Sequence, residues 1–393
     1  MKYPEFTFDF SKRNAADDII DTLIEKVLVA YPPERIERIR SRAAWTWNSK
    51  SAARTYDDRI SYLVLIPKDG LAKERPIPED ATEVQRNMIG DLLGMLRNAD
   101  VDDEFYPAFN SGCQQVTIPS MFGCVKECIS DSDHIKPILK APSDVYSLPT
   151  ADIREGMMCH TMLWNMAYKY QRAGKRIPVY MTDVQGPFSC AAQIWGIQDF
   201  LCDLEERRNE AHHLLSLCTD AIIHYFHAMG AVTEGNLVPI HCHPVLWVPK
   251  DCGVAVSDDF FAVVGKHTVA EFSAPYLDRI GEAFGGVTAH TCGNMNHLAE
   301  TLNAMKHLKA VNFGNGETDI TDYAAKCDPR ITILSHKSGA SCLGLPLYDT
   351  VGHLKVCAKA QRDTGVKVFA TCLWAWPPDD IKFAKTWEDA ARL

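Results

Sequence analysis

The chain is 393 residues long, 46% hydrophobic and 23% charged, with a formal net charge of −10. That composition describes a globular protein with ample material for a core and excludes a disordered chain, and the acidic balance argues against a nucleic-acid binder, which needs a cationic face to displace counterions from phosphate. No apolar run reaches membrane-spanning length and the opening MKYPEFTFDFSKRNAADD has no apolar stretch like that of a signal peptide, so a cytoplasmic protein without a membrane partner is expected.

The first segment, residues 1–55, reads as a helical extension. FSKRNAADDIIDTLIEKVLVAY has apolar residues at helical spacing, and PPERIERIRSRAAW opens on a proline pair that suits a helix start. DDRISYLVLIPKDG then predicts a buried strand, and IPEDATEVQRNMIGDLLGMLRNAD a helix with acidic residues in its first turn. DEFYPAFN and QVTIPSMFG are the next strand candidates, followed by a loop-rich stretch from Cys124 to Pro149 with the turn signals SDSD and APSD. A helix closed by Gly174 leads to the strand Ile177 to Met181, which ends on Thr182 and Asp183, and a long helical region from Ser189 to Met229 comes next.

In the second half strand and helix alternate to the end. The strands are LVPIHCHPVLWVP, with His241 and His243; VAVSDDFFAVV; AFGGVTAHTCGN, with His290 and Cys292; AVNFGNGE, ending at Glu317; ITILSH, ending at His336; and VKVFATC, ending at Cys372. Such alternation implies right-handed βαβ units and a parallel sheet. Asp183, His241, His243, His290, Cys292, Glu317, His336 and Cys372 fall at or just past the ends of predicted strands, which favours a (β/α)8 TIM barrel over residues 56–393, because a barrel gathers those ends on one face. The 14 cysteines are scattered singly, as expected of reduced and mostly buried thiols.

Chemistry centres on His290-Thr291-Cys292. Residues two apart on a strand project to the same side, so imidazole and thiol point into one volume, and both are ligands that zinc prefers. Cys372, again at a strand end, is the working third ligand; the alternative is a strand-end histidine with two unrelated core cysteines. Glu317 either takes the fourth zinc position or caps the following helix. No GxGxxG or GxxxxGK[ST] occurs, and no DxHxxG corrinoid-binding sequence, so any cobalamin would arrive on another protein.

With those residues laid out, the chain from about Asp57 onward resembles the uroporphyrinogen decarboxylase superfamily. Within it the likeness is to the zinc-dependent corrinoid methyltransferases of the methylcobalamin:coenzyme M type. The segments that carry it are TDVQGPFS, GVAVSDDFF followed by EFSAPYLDRI, the HTCGN turn and ATCLWAWPPDD. The resemblance implies a TIM barrel and a His-x-Cys with a distant Cys holding Zn²⁺, here His290, Cys292 and Cys372. It further implies a methyl group exchanged between methylcobalamin, carried by a corrinoid partner protein, and a small thiol acceptor or methylated donor. Asp183, Asp258 and Asp259 are then catalytic candidates, although Asp183 also reads as a turn carboxylate and SDDFF as a simple turn or helix cap. His241, His243 and His336 are assigned to the cofactor-binding mouth, with His241 and His243 doubling as an alternative metal pair. Trp374 and Trp376 either wall an apolar pocket or pack under a loop. The direction of transfer and a homodimeric assembly stay open. The runner-up is a metal-independent decarboxylase, for which the RQAGR-type arginine segment has no counterpart and Arg75 is the one obvious candidate; the third reading is a non-catalytic ligand-binding barrel.

Overall fold

The computed structural model describes residues 3–52, 59–65, 77–112, 116–129, 132–240, 246–314, 316–337, 349–372 and 384–392. The expectations placed on Arg75, His241, His243, Trp374 and Trp376 lie outside these residues. Two helices come first, α1 (Ala15–Ala30) and α2 (Pro33–Thr46). Asn14 and Asp17 start α1 with a reciprocal capping box, and the Pro32-Pro33 pair starts α2, where a missing N–H costs nothing.

The centre is a parallel sheet of β1 (Ser61–Val64), β6 (Val254–Ser257), β7 (Val287–Thr291), β8 (Leu308–Gly314), β9 (Thr332–Lys337) and β10 (Val368–Cys372), in the spatial order β1-β10-β9-β8-β7-β6. These strands are buried along almost their whole length, as parallel strands covered on both faces must be. Helices return the chain between them: α9 (Lys266–Phe272) and α10 (Ala274–Phe284) before β7, α11 (Ala299–Asn303) before β8, α12 (Ile320–Lys326) before β9 and α13 (Thr350–Thr364) before β10, with α14 (Ala384–Ala391) at the end. The result is a mixed α/β fold with a central six-stranded parallel sheet, consistent with an α/β barrel.

Main-chain bonds carry pairing beyond both edges of this sheet. Ala255 N–H donates to Pro239 O (3.0 Å) and Ser257 N–H to Val184 O (2.9 Å), while β4 (Val179–Tyr180) pairs in parallel with β5 (Leu237–Val238) and bridges to Phe109. On the other edge Glu104 N–H donates to Tyr62 O (3.1 Å), and side chains finish the edge: Tyr62 N–H donates to the Glu104 carboxylate (2.7 Å) and Val64 N–H to that of Asp103 (2.9 Å).

Several expectations change. The predicted strand QVTIPSMFG is a helical turn, α4 (Thr117–Ser120), following α3 (Glu83–Asn98), and the loop-rich stretch after Cys124 holds an antiparallel hairpin, β2 (Val125–Ile129) with β3 (Ser132–Lys136). Of DEFYPAFN only Phe109 makes a strand bridge. The helix closed by Gly174 is α5 (Met158–Arg172). The region from Ser189 is three helices, α6 (Pro187–Trp195), α7 (Ile197–Asp203) and α8 (Arg208–Val232); Gly196 at φ 110° makes the first break, turning the chain out of α6. The helix before β7 breaks at Ser273 for a different reason: Pro275 has no N–H to give to Glu271 and its ring would strike that carbonyl.

One hydrophobic core runs from α1 and α2 through the strands to α14, so the N-terminal helices are packed into it. Trp47 is buried with its indole N–H on Trp247 O (3.1 Å), and buried Arg172 of α5 reaches Asp17 on α1 (3.1 Å). No described helix is long and apolar enough to cross a membrane.

Candidate metal centre

His290 is the next-to-last residue of β7 and Cys292 follows the strand directly, so the extended backbone sends both side chains to one side. Gly293 must come next, because a Cβ there would overlap the Ala262 methyl. His290 Nε2 lies 3.4 Å from Cys292 Sγ, and Asp259, after β6, accepts the Cys292 backbone N–H at 2.8 Å. One donor atom each from Asp259, His290 and Cys292 lie within 4.8 Å of one another, the one such group of three or more found among the described residues.

Asn312 sets the proton on the imidazole. Its Nδ2 donates to Leu334 O (2.6 Å), which turns its Oδ1 onto His290 Nδ1 (2.6 Å); Nδ1 therefore carries the proton, and Nε2 presents a lone pair to Cys292 and Asp259. The same Nδ2 lies 3.2 Å from His336 Nδ1, and the His336 ring stacks on His290 at 5.6 Å between centroids. His336 thus joins the centre as a buried wall. Asn312 did not stand out in the sequence, where the available signal was one polar residue inside the apolar run AVNFG.

The charges around Cys292 are negative. Protein packed about its sulfur, together with the carboxylates of Asp259, Asp183 and Glu317, pushes the thiol up to about 12, even though the residue as a whole is exposed. A divalent cation at this place would invert that balance, since thiolate and carboxylates would then be attracted instead of repelled. Imidazole, thiol and carboxylate in this grouping are a donor set that fits zinc.

The other candidates divide. Asp183 is buried beside the centre and accepts from Ser257 Oγ (2.7 Å). Asp258 is fully buried, with one oxygen taking the Ser189 hydroxyl (2.7 Å) and the other that of Ser273 (3.1 Å); burial pushes it up to about 7, and it ties α6 to the start of α10. Of the Asp258-Asp259 pair it is Asp259 that meets Cys292. Glu317 is half-buried in the turn after β8, close enough to Gly314 that a Cβ there would come within 2.7 Å of its Oε2. Cys372 is not brought to the trio. In register His290 pairs with Asn312, Asn312 with Leu334, and His336 with Thr371, so Thr371 shares the His290 side of the sheet and Cys372 takes the other. Its buried Sγ lies 3.8 Å from Thr350 O at the start of α13.

Neither the family models nor the curated proteins contain a match to this sequence. Among solved structures the fold is shared, an α/β architecture built on a parallel sheet. The structure that shows this is a methyltransferase from Methanosarcina mazei, similar over 90% of this chain and 98% of its own, with a TM-score of 0.61 and 14% identity. At that identity the likeness speaks for the fold alone. A putative vitamin-B12-independent methionine synthase from Listeria monocytogenes matches 63% of this chain and 72% of its own at 13% identity; its TM-score of 0.37 is too low to carry an argument.

Proposed function

We propose that this protein is a zinc-dependent methyltransferase that moves a methyl group between a corrinoid on a separate protein and a small thiol or methylated substrate. The observation that carries the reading is the Asp259, His290, Cys292 donor group at the strand ends of a fold shared with a methyltransferase. The same reading takes the six-stranded sheet, the β4-β5 pair and the links through Phe109 and Glu104 as one closed (β/α)8 barrel.

His290 through Nε2 and Cys292 through Sγ are the zinc-holding pair, and Asp259 is the third donor that the geometry favours. Cys372 is the competing third donor, and reaches the pair only if the end of β10 reverses its facing. Zinc bound here supplies Lewis acidity: it keeps a substrate thiol as thiolate, or polarises the heteroatom that bears the methyl group. The chain's own residues do the rest. Asn312 keeps the His290 proton on Nδ1, His336 walls the centre, and Asp183 holds or moves a proton on substrate at the mouth. Glu317, whose carboxylate acts on the Cys292 thiol, would be a further donor to the metal.

Metal analysis tests the reading. The purified protein should carry about one zinc per chain, lost in His290→Ala and Cys292→Ala. Asp259→Asn should lose zinc and Cys372→Ser retain it; the reverse pattern restores Cys372 as the ligand. With zinc in place, methylcobalamin plus thiols, or reduced cobalamin plus methyl ethers or methylamines, should shift the corrinoid absorption. No zinc in the wild type and no shift in either panel would sink the proposal.

A further inference from the structure

A cavity of about 580 Å³ lies at the opposite end of the strands from His290. It opens where β4, β5 and β6 begin, against Pro178, Leu237 and Val254, whereas the metal centre sits where β6 and β7 finish. The volume falls within the range of small-molecule sites, and its mixed lining includes the aromatic rings of Tyr106, Trp247, Phe226 and Phe284.

Arg40 is the unusual group in that wall. It projects from α2, donates to the Tyr106 hydroxyl at 2.7 Å, and lies 5.6 Å and 5.7 Å from the ring centroids of Tyr106 and Trp247. Its Nε is buried with no acceptor. Among the described residues no carboxylate pairs with Arg40 or with Lys250, the second cation on the lining, although the chain as a whole carries a net charge of −10. A guanidinium held between aromatic rings without a counter-ion is a preformed seat for an anion, and the rings beside it are a seat for an apolar body.

We infer that this cavity binds a small amphipathic organic anion, one carboxylate, sulfonate or phosphate on an aromatic or aliphatic frame, with the anionic group on Arg40 and the frame against Trp247 and Phe284. The site is separate from the metal centre and is independent of the methyltransferase reading.

Its test is a fluorescence titration of the full-length protein with 8-anilinonaphthalene-1-sulfonate, compared with the neutral N-phenyl-1-naphthylamine. Wild type should bind the sulfonate at one saturable site. Arg40→Gln should weaken that binding by about tenfold or more, as expected for losing a bond to a charged group, and leave the neutral probe unchanged. A second variant fills the cavity without touching the charge. Gly230 lies on α8 in the cavity wall, and a Cβ there meets nothing within 4 Å, so Gly230→Met should abolish binding of both probes while thermal unfolding stays cooperative. Superimposable sulfonate titrations for wild type and Arg40→Gln would overturn the inference. So would a neutral probe that binds wild type as tightly as the sulfonate, or unchanged binding in Gly230→Met.

Discussion

At His290 the two ring nitrogens have different work: Nδ1 is committed to Asn312, and this leaves Nε2 aimed at Cys292 and Asp259. Partners of this kind orient a ligand and raise its basicity, and their loss typically weakens metal binding 10- to 100-fold. Asn312→Ala should therefore keep zinc at saturating metal but lose affinity by about that factor, read by competition with a chromogenic chelator. Unchanged affinity would reduce Asn312 to packing. The His-x-Cys pair was legible in the sequence because strand periodicity alone places both side chains on one side. Asp259 was legible as a residue but not as a donor beside Cys292, since that proximity crosses from one strand to the next. For Cys372 the end of the strand could be read from sequence, but not the register that decides which side its last residue faces.

At the scale of elements, the packing of α13 against β10 buries His353, and burial pushes its imidazole down to about 4. The unfolded chain titrates near 6.5, so over the window between these values the folded state binds fewer protons than the unfolded one. The stability His353 contributes is thus whole above about pH 6.5 and is lost as pH falls through 4, with about 3 kcal/mol at stake. Denaturant unfolding at pH 7 and pH 4.5 should show this loss, and His353→Gln should flatten the difference; an equal slope for both proteins would assign the acid sensitivity elsewhere. The entry to β6 depends on a different constraint. Gly253 sits at φ 78°, and a Cβ on it would overlap the Gly286 carbonyl at the foot of β7. Gly253→Ala should lower stability by roughly 2–3 kcal/mol through strained backbone and displaced strands, measured as a shift of the urea midpoint. Helix breaks were harder to read: helical spacing runs on through both Pro275 and Gly196, and the structure breaks the helix at each.

Over the whole molecule, the N-terminal helices share one core with the sheet. Trp47, at the end of α2, is almost wholly buried and bonds to Trp247 O two hundred residues away. Trp47→Ala should cost about 3–5 kcal/mol and leave a single calorimetric transition at lower temperature, because the extension and the sheet unfold together. Two separate transitions would make residues 1–55 an autonomous unit.

Local patterns, then, settled what is local. Hydrophobic periodicity marked most helices and the later strands, caps and prolines marked several ends, and the alternation of strand and helix gave a parallel α/β fold that a solved structure shares at 14% identity. Tertiary structure decided everything that depends on two distant segments meeting. It paired Asp259 with Cys292 across β6 and β7, turned Cys372 to the far side of β10, and revealed the Arg40 cavity, whose walls come from distant stretches of chain. The reason is physical. Periodicity follows from one residue's bonds to its neighbours, whereas a site is made by register and packing, which sum many weak contacts over the whole fold.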